Sequence, residues 1–271
     1  MSQILFASAS MSMKSGKADI NIIRHMTLNS LKKYRKEYFD EYGELVICCD
    51  GKHSWRREFF PQYKAARKSG RETSSVDWSE VFEIFNQLKN EIKENFPYRV
   101  IHVDTAEADD IIGTLVLRGR EEGEKTLIIS SDKDFIQLQM NDNVYQYSPI
   151  TKKFLNGVDP NEYLKEHILR GDKGDGIPNV LSDDNVIVDR IRQTPITKKN
   201  LEVWMEGSLP KEHAERHERN TELIDLRYTP WHLQNTILKQ KEQEPVGNRN
   251  KLPAYFKEHK LEVLSTHIRD F

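Results

Sequence analysis

The stretch "LIISSDKDFIQL", residues 127–138, places two carboxylates directly after an apolar run. The run of leucine and isoleucine predicts a buried strand, and Asp132 and Asp134 follow it one residue apart. Two carboxylates at one place repel each other, so something must stabilise the pair. Taken singly, Asp132 also fits a turn residue, and Asp134 also fits the N-cap of a helix that starts at Phe135.

Strands and helices are predicted to alternate around this stretch. Apolar runs at 45–50, 98–104 and 126–132 read as strands, and each of them ends in an aspartate. Helical periodicity covers 79–94 and 107–117 between them. This alternation predicts an α/β fold with one mostly parallel, twisted sheet flanked by helices. Ligands of such sheets bind beyond the carboxyl ends of the strands, where the three aspartates would lie.

The character of the sequence changes after about residue 155. Residues 144–154 predict an edge strand and a turn, whereas 161–271 are mainly helical with several Gly and Pro breaks. We therefore expect two domains, 1–155 and 156–271. The sequence has no apolar run of the roughly 18 residues that a membrane span needs. Its only cysteines, Cys48 and Cys49, are neighbours that do not pair, which favours a reducing cytoplasm and no membrane partner.

Acidic residues are concentrated where the predicted strands end. Glu107, Asp109 and Asp110 fall in the first turn of a helix, where acids also simply complement the helix dipole. Clustered carboxylates without histidine or cysteine suit Mg²⁺, with Mn²⁺ as a substitute, and the scattered histidines add nothing to this prediction. Two such ions are a known apparatus for phosphodiester hydrolysis. The predicted cluster comprises Asp50, Glu107, Asp109, Asp110, Asp132 and Asp134.

A basic segment precedes the acidic one. Residues 52–71 contain seven basic residues and one acid, with aromatic residues interspersed. Basic side chains neutralise phosphates, and an aromatic ring such as that of Tyr63 can stack on an unpaired base. Lys64 and Arg67 would share one helix face and steady a scissile phosphate. The alternative is an amphipathic segment with a solvated face, in which Phe59 and Phe60 belong to the core.

Residues 169–180, "LRGDKGDGIPNV", predict a glycine-rich hairpin between helices. Asp172 and Asp175 lie in it, and its glycines allow tight turns that expose backbone N–H groups. Such a helix–hairpin–helix motif, here near 164–200, grips a phosphate backbone without reading bases. An ordinary interhelical loop explains this segment equally well.

Four motifs together resemble the structure-specific 5′ nucleases, or flap endonucleases, which have a PIN-like α/β core. They are "DGKHSWRREFFPQYKAARK", "AEADDIIG", "IISSDKDFIQL" and "GDKGDGIPNV", in that order along the chain. Within the family the chain resembles the ribonuclease H branch of T-even-type bacteriophages, from about residue 2 to 271. The resemblance implies a 5′→3′ exonuclease and flap endonuclease that removes RNA primers from lagging-strand fragments during DNA replication. Its expected partners are DNA and RNA–DNA hybrid with 5′ ends, flaps or forks, together with a single-strand-binding protein and a sliding clamp.

The resemblance also implies roles for individual residues. The first domain would be the catalytic core and the second the DNA-binding region, with a monovalent cation at the hairpin. The segment 67–75 would be a flexible arch over the active site. The first metal site would comprise Asp50, Glu107, Asp109 and Asp132, and the second Asp132, Asp134 and Asp175, supported by Asp110 and Asp172. Catalysis would involve Asp50, Lys64, Arg67, Asp132 and Asp134, and nucleic-acid binding Arg56, Arg57, Tyr63, Lys64, Arg67, Lys68, Lys173, Gly174 and Gly176.

One departure concerns the beginning of the sequence. The family opens with an apolar strand that ends in a catalytic aspartate, whereas "MSQILFAS" resembles the segment after it. We expect that strand to be encoded upstream of Met1. If no such strand is encoded there, the better interpretation is a protein that binds branched DNA without cleaving it. A metal phosphatase on a similar sheet is a third reading, which the basic segment and the helical second half disfavour.

Overall fold

A computed structural model describes residues 1–13, 18–67, 76–140 and 142–271. The chain divides into two compact units, and each combines segments that are far apart in the sequence. The first unit comprises Met1–Gly51, Ser75–Val103 and Asn235–Phe271, and the second comprises Lys52–Ser74 and Asp104–Gln234. The predicted domain division at residue 155 stays a prediction.

The predicted alternation of strands and helices is confirmed. The strands are β1 (Val46–Cys49), β2 (Arg99–His102), β3 (Thr126–Ile129), β4 (Val144–Ser148) and β5 (Lys153–Phe154). The helices before residue 155 are α1 (Ser2–Met13), α2 (Ile20–Tyr42), α3 (Arg56–Phe59), α4 (Trp78–Asn95) and α5 (Ala108–Glu121). Those after it are α6 (Pro160–Arg170), α7 (Lys198–Met205), α8 (Ala214–Ile224), α9 (Trp231–Glu242), α10 (Leu252–Glu258) and α11 (Glu262–Ser265).

The strands form two sheets rather than the one sheet that the sequence predicts. In the first unit β1 pairs with β2 in parallel, with Val46 opposite Arg99. In the second unit β3 pairs with β4 in parallel, and the two-residue β5 adds an antiparallel edge. Among the described residues no strand pairs with the other edge of β1 or of β3. The parallel pairing is therefore as predicted, but it is divided between the units.

The first unit is held together by an aromatic core. Phe96 is fully buried, and its ring contacts Tyr98, Tyr255, Phe256 and Phe271 at centroid distances of 5.2–6.0 Å. The segment after α9 approaches this core closely, because a Cβ atom at Gly247 would lie 2.3 Å from the carbonyl oxygen of Phe96. The C-terminal helices are thus packed against the end of α4.

Helix α1 is attached to the end of β1. The α-amino group of Met1 donates to the carbonyl oxygen of Cys48 at 2.9 Å, and the hydroxyl of Ser2 donates to Asp50. Cys48 and Cys49 are both buried and form no disulfide, as expected for neighbours that do not pair. The prediction that Phe59 is a core residue is wrong, because its side chain is 45% exposed, whereas Phe60 is buried as predicted.

In the second unit a 3₁₀ helix, Lys133–Leu138, continues from the end of β3. Gln137 in this helix is buried and accepts from the N–H of Leu226 while it donates to the carbonyl oxygen of Ile224. Leu226 packs against α5 at Gly113, where a Cβ atom would lie only 3.0 Å from the leucine Cβ. These contacts place the C-terminal end of β3 beside the start of α5.

Within the described ranges, no helix has the length and apolar character that crossing a membrane requires.

Replacing Phe96 by Ala is expected to lower the free energy of unfolding by about 3–5 kcal/mol, because it opens a cavity in the aromatic core. Replacing the half-exposed Phe59 by Ala should cost about 0.5 kcal/mol or less. Urea unfolding of both variants, followed by far-UV circular dichroism, measures the difference. Equal losses in the two variants would contradict this assignment of the core.

Candidate active site

Carboxylates from three segments of the second unit meet in one small pocket. Glu107 and Asp109 begin α5, Asp134 follows β3, and the hairpin after α6 supplies Asp172 and Asp175. The open space within the pocket is about 20 Å³, which is room for a water molecule or a small ion. Arg56, Tyr63 and His167 line it as well, over apolar side chains of Ile177, Leu223, Ile224 and Leu226.

Asp110 stabilises the start of α5 from within the protein and does not line the pocket. Its side chain is fully buried and accepts from the backbone N–H of Glu107 at 2.8 Å and from Thr229 Oγ1 at 3.0 Å. Trp55 Nε1 and the guanidinium of Arg56 donate to it as well. The predicted supporting role of Asp110 at the metal stays a prediction, and in this structure its oxygens are hydrogen-bonded within the unit.

Arg56 is the counter-charge of Asp110. Its guanidinium is 2% exposed, lies 2.9 Å from Asp110 Oδ1, and donates to the carbonyl oxygen of Leu223. Burial alone would lower the pKa of Arg56, but its neighbours together, with Asp110 first, outweigh burial, so the pKa is raised and the residue stays charged. The prediction that Arg56 binds nucleic acid stays a prediction; in this structure the residue is buried, whereas Arg57 beside it is exposed.

The basic segment folds onto the acidic pocket. Lys64 Nζ lies 2.6 Å from Glu107 Oε1 and 3.4 Å from Asp175 Oδ2, and Arg67 forms an ion pair with Asp175. Burial would lower the pKa of Lys64, but Asp175 and Glu107 raise it, so the ammonium group stays charged. The predicted cations are thus present at the site, paired with the acids.

The ring of Tyr63 is buried in the second unit. The residue is 2% exposed, and its hydroxyl lies 2.6 Å from Glu107 Oε2 and 2.9 Å from Asp175 Oδ2. Burial and the charge of Asp175 raise the pKa of the phenol well above its usual value, so the hydroxyl keeps its proton. The base-stacking role predicted for Tyr63 stays a prediction; in this structure the ring packs inside the unit.

The hairpin 171–177 fits against the basic segment through its backbone. Gly171 and Gly176 have φ values of 66° and 79°, which favour glycine. A Cβ atom at Gly176 would lie 2.8 Å from the carbonyl oxygen of Gln62, and the N–H of Lys64 donates to the carbonyl oxygen of Asp175 at 2.7 Å. Lys173 and Gly174 are exposed at the tip.

Asp132 and Asp134 have different surroundings. Asp132 is exposed and caps the 3₁₀ helix by accepting from the N–H of Asp134 at 3.2 Å, so the N-cap is Asp132 and not Asp134. Gln146 of β4 holds the segment by donating to the carbonyl oxygens of Ser130 and Asp132. Burial, followed by the charge of Asp132, raises the pKa of Asp134 to about 7.

His167 is a pocket residue that the sequence reasoning missed, and the prediction that the histidines add nothing is wrong. The imidazole lies on α6 with Nε2 3.4 Å from Asp172 Oδ2 and Nδ1 3.7 Å from Asp134 Oδ1. Its position on the helix immediately before the hairpin was the available signal. Its hydrogen bond to Asp172 lowers the pKa of that carboxyl group.

Not every predicted site residue lines this pocket, and Asp132 is not among its lining side chains. Asp50 belongs to the first unit, where it is exposed after β1, and its place in the acidic cluster stays a prediction. Lys68 and nearly all of the predicted arch 67–75 lie outside the described residues.

The donor set of the pocket suits divalent cations. Glu107, Asp109, Asp134, Asp172 and Asp175 offer carboxylate oxygens, the ligands that Mg²⁺ and Mn²⁺ take in proteins. Asp134, His167 and Asp172 each place one ligand atom within 4.8 Å of the other two. The residues present therefore fit a site for hard or borderline divalent ions.

Comparisons with known proteins show the family of the chain. The family model for the 5′-3′ exonuclease N-terminal resolvase-like domain matches residues 2–168, and that for the C-terminal part of T4 RNase H matches residues 160–271. Ribonuclease H of Enterobacteria phage T4 is 33% identical over 269 residues, which are 94% of this chain and 88% of the phage protein. Flap endonuclease Xni of Shewanella sp. (strain MR-4) is 32% identical over 50% of this chain and 52% of its own length.

A solved structure supports the fold. The D15 protein of phage T5, co-crystallised with metal ions, superimposes with a TM-score of 0.61 over 88% of this chain and 94% of its own, at 18% identity. The T5 D15 flap endonuclease in a complex with DNA and metal ions gives a TM-score of 0.57 at 20% identity. At this identity the likeness supports the α/β nuclease fold alone.

Replacing Arg56 by Met is expected to lower the free energy of unfolding by about 3–5 kcal/mol, because it leaves Asp110 buried without its counter-charge. The same change at the exposed Arg57 should cost about 0.5 kcal/mol or less. Thermal and urea unfolding of the two variants measure this contrast. An Arg56 variant as stable as wild type would show that the buried pair of Arg56 and Asp110 does not stabilise the fold.

Replacing Asp134 by Asn is expected to flatten the dependence of stability on pH in the presence of a chelator. A carboxyl group whose pKa is raised to about 7 on folding contributes stability at low pH that is lost as the pH rises through 7. His167, whose pKa is raised against burial by Asp172 and Asp134, acts in the same direction. The variant should therefore gain stability over wild type above pH 7 and lose that gain near pH 4, as measured by urea unfolding. A difference in stability between variant and wild type that stays constant from pH 4 to above pH 7 would contradict the raised pKa of Asp134.

Proposed function

This chain belongs to the family of 5′–3′ exonucleases and is a 5′ nuclease, and from that premise we propose that it uses divalent cations to remove RNA primers and flaps. The proposed substrates are RNA–DNA hybrid and duplex or forked DNA with a free 5′ end, and the proposed setting is lagging-strand replication in the cytoplasm. The observation that carries the proposal is the convergence of carboxylates from three chain segments in one pocket with Lys64 and Arg67 beside them.

The carboxylates divide between two proposed metal positions. Asp109 and Glu107, with Asp132 and Asp50 as implied by the family resemblance, would hold the first ion. Asp134 and Asp175, with Asp132 and the supporting Asp172, would hold the second. Bound Mg²⁺ supplies Lewis acidity for hydrolysis of the phosphodiester bond and lowers the pKa of the attacking water.

Lys64 and Arg67 provide the positive charge for the scissile phosphate. Both side chains reach the pocket, and both now contact carboxylates that are proposed to bind cations. A cation at Glu107 or Asp175 would compete with these ion pairs and make the ammonium and guanidinium groups available to a phosphate. Lys64 is also held in the left-handed region with φ of 53°, a conformation that is costly for a non-glycine residue and typical of functional positions.

The hairpin is the proposed duplex contact. Lys173 and Gly174 are exposed at its tip, and Gly176 allows the tight turn behind them. Exposed backbone N–H groups and a lysine bind a phosphate backbone without reading its sequence, which suits a nuclease that recognises the form of its substrate. Arg57 and Lys68 are proposed to add phosphate contacts. A monovalent cation at the hairpin and contacts with a single-strand-binding protein and a sliding clamp remain proposals from the family resemblance.

Replacing Asp132 by Asn is expected to abolish cleavage while sparing the fold and the binding of DNA. Asparagine caps a helix as well as aspartate does, so the 3₁₀ helix after β3 is retained, but the negative charge for the metal is lost. Cleavage of a 5′-labelled flap and of an RNA–DNA hybrid, with Mg²⁺ and with a chelator, gives the rates. The control is Asp40→Asn, which changes an exposed aspartate of α2.

Short 5′ products from wild type and from the control, only when Mg²⁺ is present, support the proposal. An unchanged rate in the Asp132 variant would refute the metal assignment. Salt-sensitive DNA binding by wild type without any cleavage would instead favour the branched-DNA-binding protein that does not cut.

A further inference from the structure

His167 is held so that one ring nitrogen faces the pocket without a hydrogen-bond partner. Nε2 lies 3.4 Å from Asp172 Oδ2, which makes it the nitrogen that donates its proton to this carboxylate. Nδ1 is buried and has no hydrogen-bond partner among the described residues. The nearest acidic oxygen to it is Oδ1 of Asp134, at 3.7 Å. With the proton on Nε2, the lone pair of Nδ1 points towards Asp134.

A buried ring nitrogen without a hydrogen bond costs free energy, and such a group calls for a ligand or for a partner. The arrangement here is the one found at metal centres, where a ligating histidine donates its other ring N–H to a carboxylate. The single ligand atoms of Asp134, His167 and Asp172 lie within 4.8 Å of one another. This spacing allows one ion to contact more than one of the three side chains.

The helix that carries His167 holds the ring in place. α6 is capped at its N-terminus by Asp159, which accepts from the N–H groups of Asn161 and Glu162, and its Leu164, Ile168 and Leu169 are buried. Tyr163 packs edge-on against the imidazole at a centroid distance of 5.6 Å. The side chain of His167 itself is 13% exposed. The ring is therefore oriented before any ion arrives, as a metal ligand should be.

We propose that Asp134 and His167 Nδ1, oriented by Asp172, form a mixed oxygen and nitrogen site for a borderline first-row divalent cation such as Mn²⁺ or Co²⁺. This inference rests on the proposed metal-dependent function and specifies the ion class at its second position. An imidazole nitrogen raises affinity for Co²⁺ far more than for Mg²⁺, which prefers oxygen ligands and keeps its waters. The histidine therefore makes this position selective, whereas the Glu107 and Asp109 position offers oxygen only.

The test measures nitrogen coordination directly in the full-length protein. Mn²⁺ is added to the wild type and to His167→Gln, and pulsed electron paramagnetic resonance records the modulation from a coordinated nitrogen. The matched control is His25→Gln, which changes an exposed histidine of α2 in the first unit. Circular dichroism verifies that each variant is folded. Isothermal titration with Co²⁺ and with Mg²⁺ measures the two affinities.

We expect nitrogen modulation in the wild type and in the control, and its loss in His167→Gln. The affinity for Co²⁺ should fall about tenfold or more in that variant, while the affinity for Mg²⁺ changes little. Mn²⁺ that binds the wild type without nitrogen modulation, or modulation that persists in His167→Gln, overturns this inference alone and leaves the proposed function intact. A wild type that binds none of the three ions overturns the inference and the proposed metal-dependent function together.

Discussion

Repulsion among carboxylates that meet in one pocket is the constraint on which the second unit is built. Most of the acids there have a positive or proton-donating partner from the chain itself. Lys64 lies between Glu107 and Asp175, His167 lies between Asp134 and Asp172, and the fully buried Asp110 has Arg56. The charge of Asp134 is not fully compensated, because burial and the neighbouring Asp132 raise its pKa to about 7. Binding of a cationic group in this pocket is therefore favourable.

The same balance links the acids to the proposed chemistry. Ion pairs between Lys64 or Arg67 and the carboxylates place these cations where a phosphate would need them. Divalent ions would neutralise the negative charge of the carboxylates in place of Lys64 and Arg67. Both basic side chains could then bind the substrate. Arg56 and Asp110 are both buried and hold the start of α5, and the Arg56 guanidinium also lies 3.5 Å from Glu107 Oε2.

Backbone contacts connect the basic segment with the hairpin. The N–H of Lys64 donates to the carbonyl oxygen of Asp175, and only a glycine at 176 allows the carbonyl of Gln62 to approach. A side-chain hydrogen bond from Gln62 to Asn185 at 2.8 Å also connects the basic segment with the chain after the hairpin. The segment that carries the proposed phosphate contacts and the hairpin proposed to grip the duplex are therefore joined by backbone contacts. The proposed binding of DNA at the hairpin would in this way be tied to the position of Lys64.

Local patterns in the sequence determined the elements of this protein. Alternating apolar periodicity predicted β1 to β4 and helices α4 and α5, and the motifs around Glu107, Asp134 and Asp175 predicted an acidic site, because each of these signals lies within a few consecutive residues. Only the tertiary structure decided which side chains are buried. Arg56 and Arg57 are indistinguishable as neighbours in a basic run, and the burial of one follows from Asp110, 54 residues away. His167 gained its place for the same reason, since Asp134 reaches it only after α6 packs beside the 3₁₀ helix. The energy of an ion pair or hydrogen bond between two side chains depends on the distance between them in the fold. Local periodicity along the chain does not contain that distance when the two segments are remote in sequence.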